Sequence, residues 1–248
     1  MIKTVKHISP GFSGILLEDI GSPHCFEIED RLKEELNIPV MHDDQHGTAV
    51  VTLAAAISAC RSAGVDLKEA KVGQIGFGAA GVAICRMFMA YGVNAVYGTD
   101  KSESAMNRLE QYGGQAVSSI EELMETCDIV IATTGVPGLI KPAFVRSGQV
   151  ILALSNPKPE IEPEAALQAG AAYAADGRSV NNVLGFPGIF RGALNAKSTE
   201  INHDMLVAAA EAIAACTKQG DVVPQPLDSK VHHAVAAAVE HAALTAVK

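Results

Sequence analysis

Short apolar runs alternate with amphipathic stretches over most of this chain. From residue 72 onward the runs VGQIGFG, AVYGTD, DIVIATTG, QVILALSNP and AAYAADG have the length and β-branched content of buried strands. Between them, AAGVAICRMFMAYG, SESAMNRLEQYG and SIEELMETC place apolar residues at helical spacing. Such alternation predicts right-handed crossovers and an α/β fold with a doubly wound parallel sheet. The C-terminal part reads as two helices, DMLVAAAEAIAACTK and SKVHHAVAAAVEHAALTAV, separated by Gly220 and the Pro224/Pro226 break.

The N-terminal part is patterned differently. Up to about Leu17 it reads as a short strand and a Gly/Pro/Ser turn. Ser22-Pro23 predicts an N-cap followed by proline in the first turn, with FEIEDRLKEEL as the amphipathic helix behind it. IPVMHDD is a short apolar strand ending in two carboxylates, and TAVVTLAAAISACRSA, apolar around much of its circumference, predicts a buried helix. This divides the chain into residues 1–46 and residues 47–248, the latter a Rossmann-like domain with C-terminal helices.

Composition narrows the function classes. The net charge of −9 disfavours nucleic acid and anionic membrane surfaces as partners, and aromatic residues at 4%, with no Trp, leave little for stacking on bases. No apolar run approaches the roughly 18 residues of a membrane span. The start, MIKTVKHISPGF, lacks the apolar core of a signal peptide. Five scattered cysteines without CxxC spacing point to reduced thiols, not to disulfides or a zinc site, and with the other features predict a cytoplasmic protein.

Two patterns carry chemistry. Gly76-Phe77-Gly78-Ala79-Ala80-Gly81 sits between a predicted strand and a predicted helix. There the first glycine allows the turn, the second lets a pyrophosphate approach the backbone, and the third lets helix pack on strand. The helix N-terminus would present N–H donors to the phosphates. Asp100 ends the next strand, where an acid accepts from ribose hydroxyls. Its charge favours NAD by repelling the 2′-phosphate of NADP, whereas the adjacent Lys101 works the other way.

The second pattern is a pair of acidic doublets, Glu18-Asp19 and Asp43-Asp44, each beside apolar residues. One reading is a site for a hard cation such as Mg²⁺ or Mn²⁺, which would offset the cost of clustered carboxylates. The other is turn chemistry, with Asp44 capping the helix that begins near Gly47 and Glu18-Asp19 solvated. His42 and His46 flank the second doublet, and alternation along a strand predicts structural roles for one Asp and one His. Asn156 follows the VILAL strand at the carboxyl edge of the predicted sheet. Asn182 lies in a turn-forming pair. Lys158, Arg178 and Arg191 are cations that could draw an anionic substrate or simply sit at the surface.

Taken together, LEDI, IPVMHDDQHGTA, GFGAAG, LSNPKPE and NNVLGFPGIFRGAL resemble the malic enzymes, in particular their compact prokaryotic form, from about Pro10 to the C-terminal helices. The resemblance implies oxidative decarboxylation of (S)-malate to pyruvate and CO₂ with reduction of NAD. It implies that Glu18, Asp19 and Asp44 bind Mn²⁺ or Mg²⁺, and that Asp43 orients a catalytic lysine. Asn156 and Asn182 would contact substrate and nicotinamide, and residues 77–81 would cradle the pyrophosphate. A homodimer is also implied.

The chain departs from that pattern in three places. The family's general-acid tyrosine and general-base lysine belong to an N-terminal region upstream of the metal motif, and Tyr91, Tyr97, Tyr112 and Tyr173 all lie in the nucleotide-binding part. GRSVNNVL is shorter than its counterparts, and Leu16 stands where a polar residue is common. The resemblance then makes residues 1–46 a remnant of the family's substrate- and metal-binding domain. Two expectations follow: a malic enzyme polypeptide that keeps the cofactor and metal half of the site and is inactive alone, either completed by a separate N-terminal partner or cut from a longer chain, or a non-catalytic NAD-binding or assembly module.

Overall fold

The computed structural model describes residues 1–178 and 180–245. Residues Lys71–Ile75 (β3), Ala95–Thr99 (β4), Gln115–Ala116 (β5), Ile129–Ala132 (β6), Val150–Ala153 (β7) and Tyr173–Asp176 (β8) form a six-stranded sheet in the order β5-β4-β3-β6-β7-β8. Every pairing is parallel. Counted from its first strand, the order is that of the doubly wound dinucleotide-binding fold, with its reversal between β3 and β6.

Alternate residues of each strand enter different cores. Ile129 and Ile131 pack with the helices Thr48–Ala63 (α3), Ala79–Tyr91 (α4) and His203–Cys216 (α9), while Val130 and Ala132 pack with Ile120–Thr126 (α6) and Pro163–Gln168 (α7). The period-two side-chain alternation of a strand buried on both faces therefore fills two layers. Helix α3 is sealed on nearly every side, as its all-round apolar sequence predicts. Glu103–Gln111 (α5) flanks β4, and Phe186–Asn195 (α8) and Ser229–Thr245 (α10) pair with each other.

The N-terminal part builds a small annex. Strands Ile15–Leu17 (β1) and Val40–His42 (β2) pair in parallel around the helix His24–Glu35 (α2). Leu17, Leu32 and Val40 form their own cluster. The first residues are helical (Ile2–Ile8, α1), not a strand: Ile2 and Val5, at i,i+3 spacing, lean on this cluster. Ser22 does not cap α2; Pro23 takes the cap position and no side chain bonds there. Helices α7 and α8 and the two-residue β5 are elements the sequence pattern left unassigned.

Candidate functional site

The glycine turn joins β3 to α4, and its geometry gives each glycine a separate reason. Gly76 has φ +91°, the left-handed region that glycine tolerates. A Cβ on Gly81 would fall 1.9 Å from the Gly76 carbonyl oxygen, so only glycine lets the helix sit this close to the strand. A Cβ on Gly78 would meet nothing within 4 Å: that face is open. Helix α4 has no side-chain N-cap, so the N–H groups at Ala79 and Ala80 remain available to an anion. Phe77 points inward, buried against Gly98, and only its backbone belongs to the turn.

Asp100 closes on the same turn. Its carboxylate accepts from the Phe77 N–H at 2.7 Å and from the Ser102 N–H at 2.8 Å. The acid is thus held at the tip of β4 beside the glycines. The Gln74 amide ties the turn from below, donating to the Gly76 carbonyl at 3.0 Å and to Thr133 Oγ1 at 2.8 Å.

Two buried acids that the sequence reading did not single out organise the loops. Glu160, fully buried, accepts from Thr134 N–H and Oγ1–H at 2.7 and 2.8 Å and from Ser155 Oγ–H at 2.5 Å. It therefore couples the loop after β6 to the loop after β7, both at the carboxyl edge of the sheet. Glu29 accepts from the His42 N–H, the Gln45 amide and His46 Nε2–H at 2.9–3.1 Å and pairs with Lys33 at 2.8 Å. Burial would raise its pKa, but the His46 and Lys33 contacts outweigh this and lower it to about 2. Both acids sit in charged-looking stretches, EIEDRLKEE and PKPEIEP, which look solvated in sequence.

Glu29 fixes the carboxylate turn. Residues Asp43–Gly47 form a π-helical turn that runs straight into α3. Asp44 does not cap α3. Its Oδ2 accepts the Asp19 N–H at 2.8 Å and joins the two acidic doublets. Asp43 is buried, its carboxylate folded over Gly47, where a Cβ would lie 2.0 Å from Oδ1. The Asn182 amide donates to Asp43 Oδ2 at 3.3 Å, while among the described residues none donates a hydrogen bond to Asp43 Oδ1. Burial pushes the Asp43 carboxyl above its ordinary pKa, the Asn182 bond pulls it back, and the charges of Glu18 and Asp44 push it up again.

Glu18, Asp43, Asn156, Asn181 and Asn182 line one cleft of about 400 Å³. Asn156 reaches it from the end of β7, and its amide donates to the Gly177 carbonyl at 3.4 Å. Asn182 is also held by Thr48 at the start of α3. The structure thus brings together one acid of each doublet and both asparagines. It does not close the predicted metal set: among the described residues no three His, Cys, Asp or Glu side chains are grouped to hold an ion. The donor chemistry nonetheless fits a hard cation, since the charges of Glu18 and Asp44 lie close enough to Asp43 to raise its pKa.

The surrounding polar groups divide clearly. His46 is structural, bound to Glu29, and His42 is buried with its Nδ1 3.8 Å from Asp44. Arg178 is paired with Asp176. The cysteines are free, and burial raises Cys60 and Cys127 to about 12, so they are inert thiols. Ser179, in the GRSVNNVL loop, lies outside the described residues. No described helix is long and apolar enough to cross a membrane.

Two family models match parts of the chain. Residues 169–246 fit "Malic enzyme, NAD binding domain", and residues 41–137 fit "D-isomer specific 2-hydroxyacid dehydrogenase, NAD binding domain". The chain is 99% identical over 248 residues to NAD-dependent malic enzyme 1 of Bacillus subtilis, covering 100% of this chain and 56% of that protein. The NAD-dependent malic enzyme of Geobacillus stearothermophilus is 41% identical, over 98% of this chain and 56% of that one. That match runs over 269 aligned positions, more than this chain has residues, so the relative carries residues absent here. The chain spans little more than half the length of these two relatives. Among solved structures, the NAD-dependent malic enzyme from Thermotoga maritima is 40% identical with a TM-score of 0.87, covering 96% of this chain and 69% of that one. The malic enzyme from Pyrococcus horikoshii is 37% identical with a TM-score of 0.89, covering 99% and 64%. With this sheet order, this turn and these matches, the chain belongs to the malic enzyme family.

Proposed function

We propose that this chain carries the nucleotide-binding and cation-binding parts of a site for oxidative decarboxylation of (S)-malate to pyruvate and CO₂, with reduction of NAD. The observation that carries the reading is the cleft shared by Glu18, Asp43, Asn156 and Asn182 at the carboxyl edge of the sheet that holds the glycine turn. In open α/β sheets this edge is where ligands bind.

In this reading Gly76–Gly81 hold the pyrophosphate through backbone N–H groups, and Asp100 exchanges its Phe77 contact for the ribose hydroxyls. The same carboxylate repels a 2′-phosphate, which selects NAD over NADP. Glu18, Asp19 and Asp44 would hold Mn²⁺ or Mg²⁺. When bound, such a cation supplies Lewis-acid polarisation of substrate oxygens. Asp43 offers its Oδ1 to the side chain of a lysine supplied from outside these 248 residues, and that lysine, as the neutral amine, would take the hydroxyl proton and become the ammonium that Asp43 steadies. Asn156 and Asn182 orient malate against the nicotinamide ring, where positioning contributes much of the rate. Residues 1–46 belong with the substrate and metal part, as their separate small sheet and core suggest, and residues 47–248 with the nucleotide part.

A second reading, a non-catalytic NAD-binding or assembly module, draws support from the acidic doublets' failure to group as a closed cation set. Malate-dependent NADH formation with Mn²⁺, measured with and without an added N-terminal region or in a homodimer that contains it, separates the two. Turnover when that region is present supports the enzyme. NAD binding with no turnover under either condition supports the module.

A further inference from the structure

A second cavity, of about 330 Å³, lies between α2, α4, α5 and the start of α9. Its lining carries three cations, Arg86 of α4, Arg108 of α5 and Lys33 of α2, against two acids, with His203 beside them. Both arginines are half-buried and are steadied by rings. The Arg86 guanidinium lies 5.0 Å from the centre of Tyr112, and that of Arg108 lies 5.8 Å from Phe26. Among the described residues neither forms an ion pair with a carboxylate, and Arg108 Nε is buried without an acceptor. Two acids line the same cavity. Glu29 is already engaged by Lys33, His46 and Gln45, and Asp30 is exposed and within ion-pair distance of neither arginine.

Partly buried guanidiniums are normally matched by carboxylates, because a charge withdrawn from water needs compensation. This pair has rings and a cavity beside it, and the rings of Phe26 and Tyr112 line that cavity too. The depressed pKa of His203 reports the same excess of positive charge: burial lowers it first, then Arg86, His46 and Lys33. Apolar Val82, Met87 and Leu206 complete the wall, leaving room beside the cations for more than a bare ion.

We infer that Arg86 and Arg108 form a binding site for the phosphate group of a small molecule, distinct from the glycine turn. Planar guanidiniums match phosphate oxygens two at a time, and the adjoining rings and aliphatic wall would take an apolar substituent. The inference does not depend on malate turnover.

Calorimetric titration of the chain with inorganic phosphate and with phenyl phosphate, in metal-free buffer, tests it. Saturable binding is expected, and Arg86→Gln and Arg108→Gln should each weaken it about tenfold or more. Arg86→Lys, which keeps the charge and loses the fork, should weaken it less and guards against a folding artefact. Tighter binding of phenyl phosphate assigns the site to phosphorylated metabolites, and equal binding assigns it to free phosphate. Binding left unchanged in both Gln variants would place the anion elsewhere and overturn the inference. So would the absence of saturable binding by folded protein, or binding of succinate but of neither phosphate.

Discussion

Replacing Glu29 by Gln isolates the contact that holds the carboxylate turn in place. The side chain is 3% exposed and is bonded by four groups, three of them in or beside the turn that carries Asp43 and Asp44. Its pKa falls from the ordinary 4.5 to about 2 on folding. A carboxyl depressed in the folded state contributes stability that is fully present above the unfolded value. That contribution is lost as pH falls from about 4.5 towards 2. The shift corresponds to about 3 kcal/mol. Glu29→Gln keeps the shape but removes the charge and sets an amide N–H₂ against donors. Urea unfolding of both proteins from pH 7 down to pH 2 measures the effect. The variant should be about 3 kcal/mol less stable at pH 7, and the gap should close across the acid window. A gap below about 0.5 kcal/mol at pH 7, the ordinary size of a surface substitution, would refute the reasoning. So would a gap that stays constant as pH falls.

Other substitutions separate the parts of the site. Gly81→Ala drives a methyl into the Gly76 carbonyl, so thermal unfolding should show a loss of about 1–3 kcal/mol and NAD titration a parallel loss of affinity. Gly78→Ala meets no protein atom, so its melting temperature should stay near wild type while NAD affinity drops; unchanged affinity would remove Gly78 from the pyrophosphate site. Asp44→Ala should weaken Mn²⁺ binding more than NAD binding by calorimetry, and an equal loss of both would point to misfolding. Asp100→Ala should lower NAD affinity in the same titration, and no change would exclude Asp100 from the ribose contact.

The nucleotide half of the molecule was legible because its signals are local. Each strand from β3 to β8 except the two-residue β5 coincides with a short apolar run, and the three glycines sit where strand gives way to helix. The N-terminal half was harder. Residues 2–8 hold only two apolar side chains that pack, and their helix shows itself only once Leu17, Leu32 and Val40 are present to receive them. Helix α8 opens on Phe186-Pro187-Gly188, which reads as a loop, but Gly188 and Gly192 allow it to press against α10, where a Cβ would fall within 3 Å of Val235 or Ala236. Glu29 and Glu160 were invisible for a different reason. Burial and multiple donors distinguish them from their solvated neighbours, and those properties come from residues distant in sequence. The asparagines and acidic doublets were named from the motifs, yet the meeting of Glu18, Asp43, Asn156 and Asn182 in one cleft depends on α3 and the loop after β8.

The proposed function gives residues 1–248 the cofactor and cation portions of a malate-oxidising site. Its most direct test is NADH formation from malate and Mn²⁺ by this chain assembled with the N-terminal region of a malic enzyme relative. Asp44→Ala, assembled in the same way, serves as the control. The proposal requires turnover that depends on malate, Mn²⁺ and the intact Asp44 carboxylate. An assembled complex that binds NAD and Mn²⁺ but forms no NADH would contradict it, as would turnover untouched by Asp44→Ala.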